Sequence, residues 1–193
     1  MSLFKKSKAY KPFQYPFAYD AYQIMQKLHW LPSEVPLQED VHDWNIKLTN
    51  RERFLLTHLF RFFTKGDEDI THGYVDNYMP TFKPTEIRMM LASFAAAEAN
   101  HIDAYSQLID TVGLPEAEYE MFAEFAEMRE KHEYMFADRA ENKDGSKRSK
   151  IERIALDLAV FSAFGEGMQL FSSFAVLLSF KRRGLMKGMS TIV

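Results

Sequence analysis

Residues 98 to 105 read Glu-Ala-Asn-His-Ile-Asp-Ala-Tyr, so a carboxylate (Glu98), an imidazole (His101) and a phenol (Tyr105) recur at spacings of three and four within an apolar helical pattern. At those spacings all three side chains share one helix face. Aiming ionisable groups into a core is costly unless they are paired or coordinate something, and Glu-x-x-His is how helical carboxylate bundles hold a pair of metal ions. Two more carboxylates stand where hydrophobes are expected. Asp67 interrupts the stripe Leu56, Leu59, Phe60, Phe63, Ile70, Tyr74, and Glu166 lies among Phe161, Phe164, Met168 and Phe171. Asp67, Glu98 and His101 would give one hard, redox-active ion a mixed oxygen and nitrogen set. Glu98 could then bridge to a second ion that Glu166 also binds. Oxygen-rich sets with one imidazole suit iron or manganese better than zinc. A complete di-metal bundle takes a Glu from each of two helices and a Glu-x-x-His from each of the other two. Only one such pair lies on a core face here, which leaves the second ion short of a nitrogen and a carboxylate. Tyr105, one turn beyond His101, could be an oxidisable phenol beside the metals or a core tyrosine with a hydrogen-bonded hydroxyl. Spacing alone leaves both readings open.

The elements that must position these residues are helices. The first 48 residues, with Pro12, Pro16, Pro32 and Pro36 and little periodicity, read as an extended arm around a body that occupies 49–193. Thr49 to Glu52 fits a capping box ahead of a long helix. Pro80 to Pro84 breaks that helix, and a second runs from about Thr85 to Val112 with Gly113 as its stop. Pro115 opens a third helix expected to reach about Arg139, followed by a polar loop from Glu141 to Lys147. The fourth, Lys150 to about Arg183, is apolar enough from Ala155 to Phe180 to suggest a membrane span. Asp157 and Glu166 argue for a central bundle helix instead. Gly184 and Gly188 mark a turn, and a fifth helix begins at Met189. The class is all-α.

Composition narrows the function. The 193 residues are 47% hydrophobic, with 17 Phe and 11 Met, enough to fill one sizeable core. A formal net charge of −3 provides no field that would gather nucleic acid or an anionic membrane. No secretory pattern precedes Phe17, so a cytoplasmic protein is expected. With no cysteine in the chain, disulfides, thiolate metal sites and thiol redox chemistry are excluded within it.

Several motifs in order resemble the small (beta) subunit of class I ribonucleotide reductase, a ferritin-like radical generator. They are His29-Trp30-Leu31-Pro32, Phe62-Phe63-Thr64-Lys65-Gly66-Asp67, Glu98 to Tyr105, Gly165-Glu166-Gly167 and Lys181-Arg182-Arg183-Gly184-Leu185-Met186. The resemblance implies a ferritin-like bundle in which Asp67, Glu98, His101 and Glu166 hold two iron ions, or manganese. Tyr105 would bear the radical, and Trp30 would lie on the electron-transfer route between that radical and the large (alpha) subunit. Leu170 and Phe174 would shield the radical, while Trp44 reads as a packing anchor. It also implies a homodimer and reduction of ribonucleotides to deoxyribonucleotides. The family's second Glu-x-x-His and its tyrosine-bearing tail have no counterpart, so the chain resembles the N-terminal part of such a subunit, truncated after the fourth long helix. The alternative is a half-bundle, inactive without a complementing chain. In either case weak metal binding and an uncovered apolar face are expected.

Overall fold

The structure, a computed structural model, describes residues 2–115, 121–142 and 144–193, without the side chains of 122 and 123. Seven helices with an α-helical run of four residues or more carry the fold among the described residues, beside shorter helical turns and π segments. They are α1 (Pro16–Lys27), α2 (Gln38–His42), α3 (Asn50–His72), α4 (Thr85–Val112), α5 (Ala126–Phe136), α6 (Lys150–Arg182) and α7 (Met189–Ile192). Apart from an isolated bridge between Glu141 and Lys147, which closes the polar loop, the described residues contain no strand.

The long helices start and stop where local chemistry says they should. Thr49 accepts the Glu52 backbone N–H at 3.3 Å while the Glu52 carboxylate takes the Thr49 N–H at 2.8 Å, so two otherwise orphaned donors are satisfied at the head of α3. Ser149 and Glu152 repeat the arrangement at the head of α6. At the end of α4, Gly113 takes a left-handed φ of +77°, and the Leu114 N–H returns to the Ile109 carbonyl at 3.2 Å.

Two expectations need correction. The first 48 residues are not extended throughout, because Pro16 opens α1, and Ala18, Tyr22 and Met25 form a helical stripe against α4. Glu86, buried in the first turn of α4, accepts the Gln14 and Tyr15 N–H groups at 2.6 and 2.9 Å and fixes the entry to α1. The third helix is also shorter than expected. A 3-10 turn at Met121–Glu124 is followed by extended backbone at Phe125, and only then by α5. The part of that expectation covering 116–120 lies outside the described residues.

α2 runs on into a π-helical segment, Asp43–Lys47, and the two long helices that carry Asp67 and Glu166 depart from α geometry as well. α3 runs on into a π-helical segment, Gly73–Tyr78, and the middle of α6 is π-helical over Ala159–Leu170. Such turns are uncommon and concentrate where a helix must re-aim a side chain. Here those of α3 and α6 face each other, close enough that a Cβ on Gly73 would lie 2.9 Å from the Phe161 Cζ. Two buried clusters flank this contact. One gathers Trp44, Phe60, Phe63, Tyr105, Leu108, Leu177 and Phe180; the other gathers Ala18, Ile70, Tyr74, Tyr78, Leu91 and Phe161. Leu170 packs against both.

Candidate metal centre

Against the first cluster lies a cavity of about 430 Å³ lined by Asp67, Glu98, His101, Tyr105 and Glu166, with Phe63, Leu170 and Phe174 among its apolar walls. α3 supplies Asp67, α4 supplies Glu98, His101 and Tyr105, and the π segment of α6 supplies Glu166. Every sequence-predicted ligand and the predicted phenol therefore meet at one hollow. Trp30 stands behind it. Its ring centroid is 6.0 Å from that of His101, and its carbonyl accepts the Asn100 amide at 2.8 Å. Trp44 is buried and stacks on Phe60 at 6.1 Å.

The electrostatics are those of a crowded acid site short of positive charge. Burial pushes the Asp67 carboxyl up to about 8, with a further rise from the charge of Glu98 that His101 only partly offsets. Its Oδ2 is buried without a hydrogen-bond partner. Glu166 is raised to about 7, again by burial first and then by Glu98, against a hydrogen bond from Tyr74 that lowers it. Burial alone would lower His101, yet the Glu98 carboxylate, 3.2 Å from Nδ1, and the charges of Glu98 and Asp67 raise it overall. Burial, Asp67 and Glu98 together push the Tyr105 phenol well above its usual value.

Among the described residues no three of these donors already stand close enough together to grip an ion. The donor set still fits one. Three carboxylates and an imidazole face a shared space, and a buried carboxylate oxygen with no partner is rare in a folded protein unless something else satisfies it. A second ion would find a poorer set, because the cavity lining holds no second imidazole.

Tyr74 is a member of the site that spacing did not reveal. Its phenol donates to both Glu166 oxygens, at 2.9 and 3.0 Å. The one available signal was its position seven residues beyond Asp67, on the same helix face. Phe63 forms the other side of the phenol environment. It stacks on Tyr105 at 5.0 Å with a 5° interplanar angle, and Phe174 stacks on Phe63 at 5.7 Å and 8°.

Known proteins are similar to this chain in the arrangement of helices and in sequence. The R2 subunit of ribonucleotide reductase from Clostridium botulinum superposes with a TM-score of 0.79 at 24% identity, over 93% of this chain and 56% of that one. The dimanganese(II)-NrdF of Streptococcus sanguinis does so at 0.78 and 18% identity, over 98% and 64%. These likenesses establish the fold. In sequence, a probable ribonucleoside-diphosphate reductase small subunit, 376L, of Invertebrate iridescent virus 6 is 47% identical over 199 residues, covering 100% of this chain and 55% of that protein. The chain thus spans about half the length of the curated relatives it matches. The family described as "Ribonucleotide reductase, small chain" matches residues 7–193, a span that includes every residue of the cavity wall. The chain belongs to the ribonucleotide reductase small-chain family.

Proposed function

We propose that this chain is the metal-binding and radical-bearing part of a ribonucleotide reductase small subunit, an oxidoreductase component that delivers an oxidising equivalent to a large subunit for reduction of ribonucleotides to deoxyribonucleotides. The observation that carries this reading is the single cavity shared by Asp67, Glu98, His101, Glu166 and Tyr105. A pair of iron ions, or manganese as in the dimanganese(II) relative, held by the three carboxylates and His101, would supply with oxygen the power for a one-electron oxidation.

The chain's own residues prepare Tyr105 for that event. The raised phenol stays protonated at neutral pH, so an electron and a proton must leave it together. The flanking stack of Phe63 and Phe174 keeps water from the ring, and with it the solutes that would quench a radical. Glu98 holds His101 by Nδ1, which fixes the ring and directs its other nitrogen. Trp30, tilted 38° against His101, is the aromatic side chain placed to pass charge outward.

The test is metal content and electron paramagnetic resonance after ferrous iron and oxygen are added to the purified chain. A tyrosyl signal that disappears in Tyr105→Phe is the expected result. Absence of any signal from wild type, with no tightly held metal, favours a half-bundle that needs a complementing chain. A tyrosyl signal unchanged in Tyr105→Phe removes Tyr105 from its role.

A further inference from the structure

The near-equal distances of 2.9 and 3.0 Å place the Tyr74 hydroxyl oxygen close to the bisector of the Glu166 carboxylate. A cation bound bidentately approaches a carboxylate from that same direction. Phenol and ion therefore compete for the same face of Glu166.

We propose that Tyr74 is a positioning residue that latches Glu166 by both oxygens in the ion-free chain and must yield at least one of them when a divalent cation occupies the second position. The inference rests on the di-metal reading and adds a residue to it. Its structural basis is the π-to-π contact. Tyr74 lies on Gly73–Tyr78 and Glu166 on Ala159–Leu170, and the missing side chain at Gly73 lets Phe161 approach so that the two can meet. The latch is rigid, because the Tyr74 ring is packed by Phe94 at 5.8 Å, Tyr78 at 6.2 Å and Phe161 at 6.3 Å. A half-buried carboxylate that loses its donor is left poorly satisfied, so the latch also keeps Glu166 at the cavity wall until another charge partner arrives.

The experiment is a titration of the purified chain with Mn²⁺, reading free ion by electron paramagnetic resonance, at one fixed pH. Glu166→Gln defines the portion of binding that depends on Glu166, and His101→Ala the portion that depends on the first position. Tyr74→Phe is expected to tighten the Glu166-dependent portion about tenfold, the worth of one hydrogen bond to a charged group. The His101-dependent portion should stay unchanged and so report an intact fold. In the Glu166→Gln background, Tyr74→Phe should have no effect. A residue that merely supports the fold would weaken both portions when removed. Unchanged or weaker Glu166-dependent binding in Tyr74→Phe, beside intact His101-dependent binding, overturns the latch alone. No Mn²⁺ bound by any variant overturns the latch and the di-metal reading together.

Discussion

Asp67 and Glu166 are carboxylates kept partly protonated near neutrality, and that makes the ion-free chain sensitive to pH. Asp67 rises from an ordinary 3.8 to about 8 and Glu166 from 4.5 to about 7, so both bind a proton more tightly folded than unfolded. Their contribution to stability is complete below pH 4 and is lost as pH climbs through 7 and 8. Cation affinity should move the opposite way over the same interval, since ligands must shed their protons. Asp67→Asn is therefore expected to flatten the pH dependence of urea unfolding and to stabilise the ion-free chain at pH 8 by a few kcal/mol. A variant that unfolds at the same urea concentration as wild type at pH 8 contradicts this. These residues were legible in sequence because each is a polar interruption of an apolar stripe. Tyr74 was not, because a phenol suits an apolar stripe and its carboxylate partner lies 92 residues away.

Local signals served well for some elements and failed for others. The Thr49–Glu52 box and the Gly113 cap are written within four residues, and both formed as read. α1 was missed because its stripe has meaning only against α4, and Glu86, which anchors it, is some seventy residues distant. The π segments were missed as well. Nothing in the composition of Gly73–Tyr78 or Ala159–Leu170 distinguishes them from α-helix, and tertiary contact selects them. Two glycines on the first long helix make the contrast testable. A methyl at Gly66 meets nothing within 4 Å, so Gly66→Ala should gain about 0.5–1 kcal/mol of helix stability. Gly73→Ala drives a methyl into the buried Phe161 ring, and the strain should exceed the propensity gain for a net loss of about 1 kcal/mol. Urea midpoints moving in opposite directions for the two variants would bear this out, and a stabilised Gly73→Ala would refute it.

At the scale of the whole molecule, α6 leaves an apolar face uncovered, with Phe164, Met168 and Phe171 at 56%, 60% and 68% exposure. It is the only helix among the described residues long and apolar enough to cross a membrane, and it also carries Glu166 into the cavity. At the opposite extreme of burial, Asp40 and Asp43 on the first stretch of chain hold the turn that leads into α7. Asp40, fully buried, accepts the Gly188 and Met189 N–H groups at 3.0 and 2.6 Å, and Asp43 accepts that of Met186 at 2.8 Å. Asp40→Ala would strand two buried donors and is expected to cost about 2 kcal/mol or more. Hydrogen exchange at Gly188 to Ile192 should accelerate with it, and unchanged protection there would show that the turn stands without the clamp. Gly188 itself admits no side chain, since a Cβ would fall 2.6 Å from the Pro36 carbonyl. These bonds join residues 143 to 149 positions apart, so they can close only after residues 186 to 189 have been made. Until then a nascent chain carries two aspartates with no amides to receive them. The Asp40–Asp43 stretch must wait, hydrated, for that turn to emerge, so these contacts form later than the local caps of the long helices.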